Sequence, residues 1–424
     1  MAIASGIHLK RLTVIGDALA VAVAVSLPWS TSATSILLVP WLIALIPTLA
    51  WSDVRRQLTS AAGGLPVLLF LLGALGMTWA DVSWHARLGG LDGFVRLLVI
   101  PLLMAQFSRS DGGHRVFIGF LVACAAVLAA SVIVTIWPNI GPGPGGSAGI
   151  PVKSYILQSA EFTMCAAVLL DLAVAKARTR QWKTSVAMAV LALAFLGDIF
   201  FITTGRTALV IIPVLAVLYG IRHSGWKGVF GAVAVLLFVA TVVWATSPYL
   251  RERVIDSISE TARYEQENEA NSSGLRIAFW KKSIGFIENA PLFGHGTGSI
   301  PEQFQHAAAG YAGARGAVST NPHNQTFAVG IQLGLLGMAV LWAMWISQLM
   351  FFRGSGPVAW IGLVVVMANI VGSLFNSFIF DFTEGWLYVM GFGVAAGMVQ
   401  RQALATQGRK EEAAADQALA AAKR

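Results

Sequence analysis

RVFIGFLVACAAVLAASVIVTIW, residues 115–137, decides the fold class. Apart from Arg115 at its start it has no charged side chain, and it is long enough for one helix to cross the roughly 30 Å hydrocarbon layer of a membrane. Hydrophobic residues make up 56% of the 424-residue chain and charged residues only 12%, about half the charged share of a soluble protein. This composition excludes a disordered chain, a coiled coil, a disulfide scaffold and a nucleic-acid binder, and it predicts a polytopic membrane protein.

Similar apolar runs recur along the whole sequence. We therefore predict an all-α integral membrane protein with about twelve transmembrane helices. The predicted spans are residues 12–29, 32–51, 62–80, 91–107, 115–137, 155–175, 183–202, 206–222, 226–247, 324–351, 357–379 and 385–401. The chain then divides into helices 1–9 within residues 1–247, a long loop at 248–320, helices 10–12 within 321–401 and a tail at 402–424.

Lysine and arginine are concentrated in alternate short loops, as in the pairs Lys10 and Arg11 or Arg55 and Arg56. The positive-inside rule assigns these loops to the cytoplasm, and an even number of spans then places both termini there. The opposite loops, among them the glycine-proline stretch at 138–151, contain few basic residues. The formal net charge of +8 is thus explained by topology, and we expect no nucleic-acid partner.

The loop at 248–320 has mixed charge and is long enough to form a small functional subdomain. Within it, SSGLRIAFWKKSIGFIEN at 272–289 predicts a helix capped by Ser272 or Ser273, with an apolar face that lies on the membrane surface or packs on the spans. The following STNPHNQTF at 319–327 predicts a second helix start. There Asn321 is the expected N-cap, and His323 falls in the first turn.

Ionisable residues collect near the extracytoplasmic ends of the predicted spans, where each is costly and therefore informative. They are Asp92, Arg96, Lys153, Glu161, Asp198, Arg206, His323, Asp381 and Glu384. A bundle with polar groups at one end predicts a site that opens at that end. A proton-coupled transporter would more often place them near the midplane.

Three of the candidate residues have two open interpretations each. Arg206, in the tight turn TTGRT, is either a headgroup anchor or ion-pair partner of Asp198, or a clamp for a lipid-linked phosphate. His323 is either a surface residue in a helix cap or a general base. Arg276 either lies on a solvated helix face or reaches down to the membrane surface. The glycine-rich GHGTGS at 294–299 has no preceding strand and predicts a turn rather than a nucleotide site.

Three segments together resemble the O-antigen ligase and polymerase family. They are SGLRIAFWKKSIGFIENAPLFGHGTG at 273–298, NPHNQTFAVGIQLGLLG at 321–337 and TTGRTALV at 203–210. The order of these segments and the long late loop also match that family, and the likeness covers roughly residues 190–345. Gly205 departs from the serine that the family often has before its arginine, but Arg206 itself is kept.

The resemblance implies a membrane-embedded glycosyltransferase of the GT-C type in the bacterial inner membrane, with its site facing the periplasm. Such enzymes move a polysaccharide from undecaprenyl pyrophosphate onto an acceptor, which for the ligases is a sugar hydroxyl of lipid A–core oligosaccharide. Carried onto this sequence, the family's essential residues are Arg206, Arg276 and His323. Inversion at the sugar carbon is expected.

Further substrate-binding candidates are Asp92 with Arg96, which would hold lipid phosphate or structure the cavity, and Lys153 and Asp381. We expect no metal or other cofactor, although Asp198, Asp381 and Glu384 are the acidic residues that would have to gather around one. An O-antigen polymerase, a protein O-oligosaccharyltransferase and a lipid-linked glycan transporter are the alternative functions.

Overall fold

The structure, a computed structural model, describes residues 2–138, 149–203, 205–354 and 356–422, and the regular elements within these ranges are all helical. Most of the loop predicted at 138–151 lies outside the described residues. The helices are α1 (Ala2–Ser26), α2 (Thr31–Leu45), α3 (Trp51–Leu58), α4 (Ala61–Gly76), α5 (Trp84–Val95), α6 (Val99–Phe107), α7 (Gly113–Ile136), α8 (Tyr155–Arg178), α9 (Trp182–Phe201), α10 (Ala208–Thr246), α11 (Pro248–Glu267), α12 (Ser272–Asn289), α13 (Ile300–Ala308), α14 (Gly313–Gly316), α15 (Gln325–Phe351), α16 (Pro357–Ser373) and α17 (Phe382–Ala422), with 3₁₀ turns at Ile46–Thr48 and Arg96–Leu98.

Among the described residues, seven helices are long and apolar enough to cross a membrane. The number rises to eight if α3 and α4, which meet at a bend of 81°, count as one span. Several long apolar helices in one chain are typical of a polytopic membrane protein. The figure of twelve spans, the GT-C classification and the cytoplasmic placement of the termini stay predictions.

The two spans predicted at 206–222 and 226–247 both lie in α10, which is broken at Gly225 with φ 56° and ψ −141°. A Cβ atom on Gly220 would collide with the carbonyl oxygen of Gly228. In a straight helix, residues eight apart are separated by about 12 Å. The chain therefore reverses at Gly225, and α10 consists of two helices that touch where glycine leaves no side chain between their backbones.

Helix α15 is broken in the same way at Gly334, where φ is 62°. Backbone groups around this break form hydrogen bonds with the loop that follows α12. The amide of Leu335 donates to Pro291 at 2.7 Å, and the amide of His295 donates to Ile331 at 2.8 Å. The GHGTGS segment is therefore a turn, as predicted, and its neighbourhood satisfies polar groups that a bent helix would otherwise leave unpaired.

The helix predicted at 272–289 is confirmed with these bounds as α12. The predicted serine cap was wrong: the side chain of Asn271 accepts the hydrogen bond from the Gly274 amide at 2.8 Å. Phe279 and Phe286 are buried in one cluster with residues of α13 and α15. Of the two placements considered, α12 thus adopts the one in which it packs on neighbouring helices.

We expect Gly334→Ala to destabilise the protein by more than about 1 kcal/mol, because the left-handed conformation is strained for alanine. The added Cβ would also lie 2.5 Å from backbone atoms of Leu292. Thermal unfolding in detergent measures the change. Gly231→Ala in α10 is the matched control, since a Cβ there meets nothing within 4 Å. Equal melting temperatures for the two variants would contradict the argument.

Candidate functional site

Arg206 is held by an acidic residue of the long loop. Its two terminal nitrogens donate to Glu260 on α11 at 3.0 and 3.1 Å, and Nη1 also donates to the Ser273 hydroxyl at 2.9 Å. Ser273 lies in the first turn of α12, so one guanidinium links the turn before α10 to both loop helices. The bidentate geometry is the arrangement in which arginine binds a carboxylate most strongly.

The pairing of Arg206 with Asp198, one of the interpretations considered for this arginine, is wrong, because Arg206 pairs with Glu260. Asp198 is buried on α9 and accepts hydrogen bonds from Ser131 at 2.5 Å, Gln158 at 3.1 Å and Thr203 at 2.5 Å. These neutral donors already occupy its oxygens. Glu260, 54 residues after Arg206, takes the place of Asp198 as its partner, and no pattern in the sequence indicates this.

Glu260 is ionised throughout the physiological range. Burial alone would raise the pKa of this carboxyl, but the hydrogen bonds from Arg206 and Ser273, together with the charge of Arg206, lower it to about 2. The carboxylate therefore compensates the charge of Arg206 under all working conditions.

Arg276 has no such compensation. It lies one turn beyond Ser273 on α12, partly buried, and within the described part of the chain its guanidinium makes neither a hydrogen bond nor an ion pair. Burial lowers its pKa, and the positive charge of Arg206 lowers it further. The charges of Arg206 and Arg276 act on each other, and Glu260 is a carboxylate that acts on both. Two positive charges near one negative charge leave a net positive charge suited to an anion.

His323 does not lie in the first turn of a helix, which corrects the prediction. Helix α15 begins at Gln325 and is capped by Asn324, whose side chain accepts from the Phe327 amide at 3.1 Å. His323 itself has a positive φ of 54°. The side chain of Asn321 accepts from the His323 amide at 2.8 Å, and this local turn competes with the helix that the sequence predicts from Asn321.

The imidazole of His323 rests against α12. The Phe279 ring is stacked on it, with centroids 6.0 Å apart and an interplanar angle of 17°. The indole nitrogen of Trp280 donates to the His323 carbonyl at 3.3 Å. Burial lowers the pKa of His323 and the charge of Arg276 lowers it further, whereas the hydrogen bond from Nδ1 to Oδ1 of Asn376 raises it. Burial and the charge of Arg276 therefore favour the neutral form of the imidazole.

One face of α12 brings the three principal residues together. Ser273, Arg276 and Trp280 are spaced three and four residues apart, so they follow one side of the helix. Ser273 contacts Arg206 and Trp280 contacts His323. Ser273 and Trp280 lie about 10 Å apart along the axis of α12. Arg206 acts electrostatically on Arg276, and Arg276 acts on His323, so the three residues lie near one another along this side of α12.

An amide that the sequence analysis missed completes the site. Asn376, in the loop between α16 and α17, contacts His323 Nδ1 through Oδ1 at 2.9 Å and donates from Nδ2 to Asp381 at 2.6 Å. The side-chain amide of Asn321 also donates to Asn376 Oδ1, at 3.1 Å. The sequence contains only a slight indication of Asn376, which forms a polar pair with Ser377 inside the apolar stretch 374–380.

Arg96 binds protein rather than leaving its charge free. Its side chain is only 4% exposed and pairs with Asp92 at 3.3 Å. It also donates to the carbonyl oxygen of Asp381 and, at 3.4 Å, to that of Phe382. Of the two roles considered for Arg96 and Asp92, these contacts favour structuring the cavity, because they fix the loop that carries Asp381 and Asn376.

Lys153 also has protein partners. Its ammonium donates to the carbonyl oxygen of Leu27 and to the Thr383 hydroxyl, the latter at 3.0 Å. Glu161 and Glu384 lie near it and interact with its charge. Lys153 therefore belongs to a second polar cluster, which adjoins the site through Asp381 and Glu384.

Within the described ranges, no three or more histidine, cysteine, aspartate or glutamate side chains gather in a way that suits a metal ion. Asp198, Asp381 and Glu384 accordingly do not form a group of this kind.

Comparison with known families identifies the part of the chain that carries this site. Residues 187–342 match the family model Wzy_C, described as O-Antigen ligase. The match confirms the resemblance to the O-antigen ligase and polymerase family. It includes Arg206, Glu260, Arg276 and His323 and ends before Asn376. No curated protein matches the chain.

We expect Glu260→Gln to lower stability at pH 7 and to flatten its pH dependence. The pKa of Glu260 is depressed from 4.5 to about 2. The wild-type carboxylate thus contributes on the order of 3 kcal/mol above pH 4.5 and loses this as the pH falls through about 2. Melting temperatures of both proteins at pH 7 and pH 3 measure the difference, which should narrow at the lower pH. A constant difference would exclude this linkage.

Proposed function

We propose that this protein is an O-antigen ligase of the bacterial inner membrane, with its site on the periplasmic face. It transfers a polysaccharide from undecaprenyl pyrophosphate to a sugar hydroxyl of lipid A–core, without a metal and with inversion of the anomeric carbon. The family match supports the general class of activity. The donor, the acceptor, the side of the membrane and the residue roles are our proposal.

The observation that carries the proposal is the guanidinium of Arg276, which has no hydrogen-bond or ion-pair partner among the described residues and lies near that of Arg206. The terminal nitrogens of Arg206 already bind Glu260, so Arg276 is the group with free donors. A lipid-linked pyrophosphate would supply the missing negative charge. Because charge on a pyrophosphate leaving group grows as its bond to the sugar breaks, Arg276 would stabilise the transition state more than the bound donor.

His323 supplies the second part of the reaction. Its neutral imidazole accepts the proton of the acceptor hydroxyl as the oxygen attacks the anomeric carbon. A new carbon–oxygen bond forms there, while the bond to the pyrophosphate breaks and its electron pair leaves with undecaprenyl pyrophosphate. Attack from the side opposite the leaving group inverts the sugar carbon.

This arrangement favours transfer over transport, because a transporter has no need of a neutral imidazole beside an anion site. Polymerase and protein O-oligosaccharyltransferase differ from the ligase only in the acceptor. The acceptor that is extended in the assay below therefore separates these three activities.

We expect Arg276→Gln to reduce transfer at least about 100-fold, since it removes the free cation at the leaving group. The assay combines purified protein, undecaprenyl-pyrophosphate-linked glycan and lipid A–core in vesicles, and follows lengthened lipopolysaccharide on gels. Arg263→Gln is the matched control, because Arg263 pairs with Glu269 on a solvent-exposed surface. Equal activity of the two variants, or extension of a glycan or protein acceptor in place of lipid A–core, would overturn the assignment.

The pH profile of kcat/KM tests the histidine. A base acts only when unprotonated, and the pKa of His323 lies below 6.5 because of burial and the charge of Arg276. We therefore expect activity to stay high down to pH 6.5 and to fall at lower pH. His323→Gln should abolish transfer while leaving the protein folded. A midpoint above pH 6.5, or an active glutamine variant, would exclude His323 as the base.

A further inference from the structure

The hydrogen bonds around His323 determine which of its ring nitrogens carries the proton. The chain of contacts starts at the backbone N–H of His323, which can only donate, so the Asn321 atom that faces it at 2.8 Å is the carbonyl oxygen. The Ser377 hydroxyl donates to the same oxygen at 2.7 Å. The other polar atom of the Asn321 side chain is then its NH₂ group.

The same reasoning fixes Asn376. The NH₂ group of Asn321 faces Asn376 at 3.1 Å and must meet an acceptor, which is Oδ1. The other end of this series of hydrogen bonds requires the same orientation. The Asp381 carboxylate only accepts and therefore faces Nδ2 of Asn376, at 2.6 Å. Two unambiguous groups, a backbone N–H and a carboxylate, thus impose the same orientation on Asn376.

We propose that Asn376 is a positioning residue that holds His323 in the tautomer protonated at Nδ1. Because Oδ1 of Asn376 accepts at 2.9 Å, the imidazole must donate from Nδ1, and Nε2 keeps its lone pair. Nε2 has no hydrogen-bond partner among the described residues. The catalytic meaning of this free nitrogen rests on the proposed function, whereas the tautomer itself does not.

The surroundings make the arrangement rigid. Arg96 holds the backbone of Asp381 in place, and the stacked Phe279 fixes the plane of the imidazole. Two charged groups act on His323: Arg276 from α12, which opposes protonation of the ring, and Asp381, which acts through Asn376. Asn376 separates Asp381 from the ring, so the carboxylate orients the amide without itself contacting the imidazole.

Nitrogen NMR of histidine-labelled protein in detergent or nanodiscs tests the tautomer without any substrate. His323→Gln identifies the resonances of His323 by difference. We expect a protonated Nδ1 and an unprotonated Nε2 in the wild type, and loss of this pattern in Asn376→Leu and Asn376→Ala. An Nε2-protonated ring in the wild type, or an unchanged pattern in both variants, would overturn the proposal.

Transfer kinetics supply the second readout. If Nε2 is the base, Asn376→Leu should lower kcat roughly 100-fold or more, while KM for the lipid-linked donor stays the same because Arg276 is untouched. Gln400→Leu is the matched control: Gln400 exchanges two 2.8 Å amide hydrogen bonds with Gln57, about 27 Å along α17 from its start. A raised KM with constant kcat would contradict a positioning role.

The two measurements separate the two proposals. An Nδ1-protonated His323 that depends on Asn376 in a protein without transfer activity would uphold the tautomer and refute the ligase assignment. Full transfer activity in Asn376→Leu, with the altered NMR pattern, would show that the tautomer does not serve the reaction and would refute the positioning role.

Discussion

The ion pair between Arg206 and Glu260 is the contact on which the site depends. It joins the turn before α10 to α11, and through Ser273 it also reaches the start of α12. Helix α12 carries Arg276 and the two aromatic residues that contact His323. This junction ties the first turn of α12 to the turn at Arg206.

Glu260 neutralises the charge of Arg206. Of the two neighbouring guanidinium groups, that of Arg276 is therefore the one whose charge stays uncompensated. Two free guanidinium groups would repel each other in the empty site. Here one charge is compensated within the protein and the other stays available. Arg276 is only partly buried and near a like charge, so the anion that we propose to bind there would relieve an unfavourable arrangement as well as form new hydrogen bonds.

The sequence was sufficient to predict the membrane class and the helix at 272–289, whereas the roles of Arg206, Arg276 and His323 stay predictions. It could not predict their partners. Glu260 is one of several acidic residues in a mixed-charge loop, and only the packing of α11 selects it. Asn376 is a neutral side chain, which carries no electrostatic signal in a sequence. The error at His323 has a local cause: Asn321 and Asn324 are both good caps, and the left-handed backbone at His323 decides between them. The break at Gly225 falls between the two spans predicted at 206–222 and 226–247. The break at Gly334 lies inside one predicted span and carries no signal in the sequence, since glycine is common in apolar helices.

The break in α15 determines how the helical segment that follows His323 is held in place. Its first segment, from Gln325 to Gly334, ends on the loop at 291–296 that closes α12. Gly334, which has no side chain, lets the two backbones approach closely, and main-chain hydrogen bonds hold them together. Neither feature depends on the surrounding lipid. The short segment behind His323 is thereby anchored at its far end to the same helix that stacks on the imidazole at its near end. Because both ends of this segment contact α12 or the loop that follows it, we expect the imidazole and the Arg276 guanidinium to keep their spacing when the surrounding helices move.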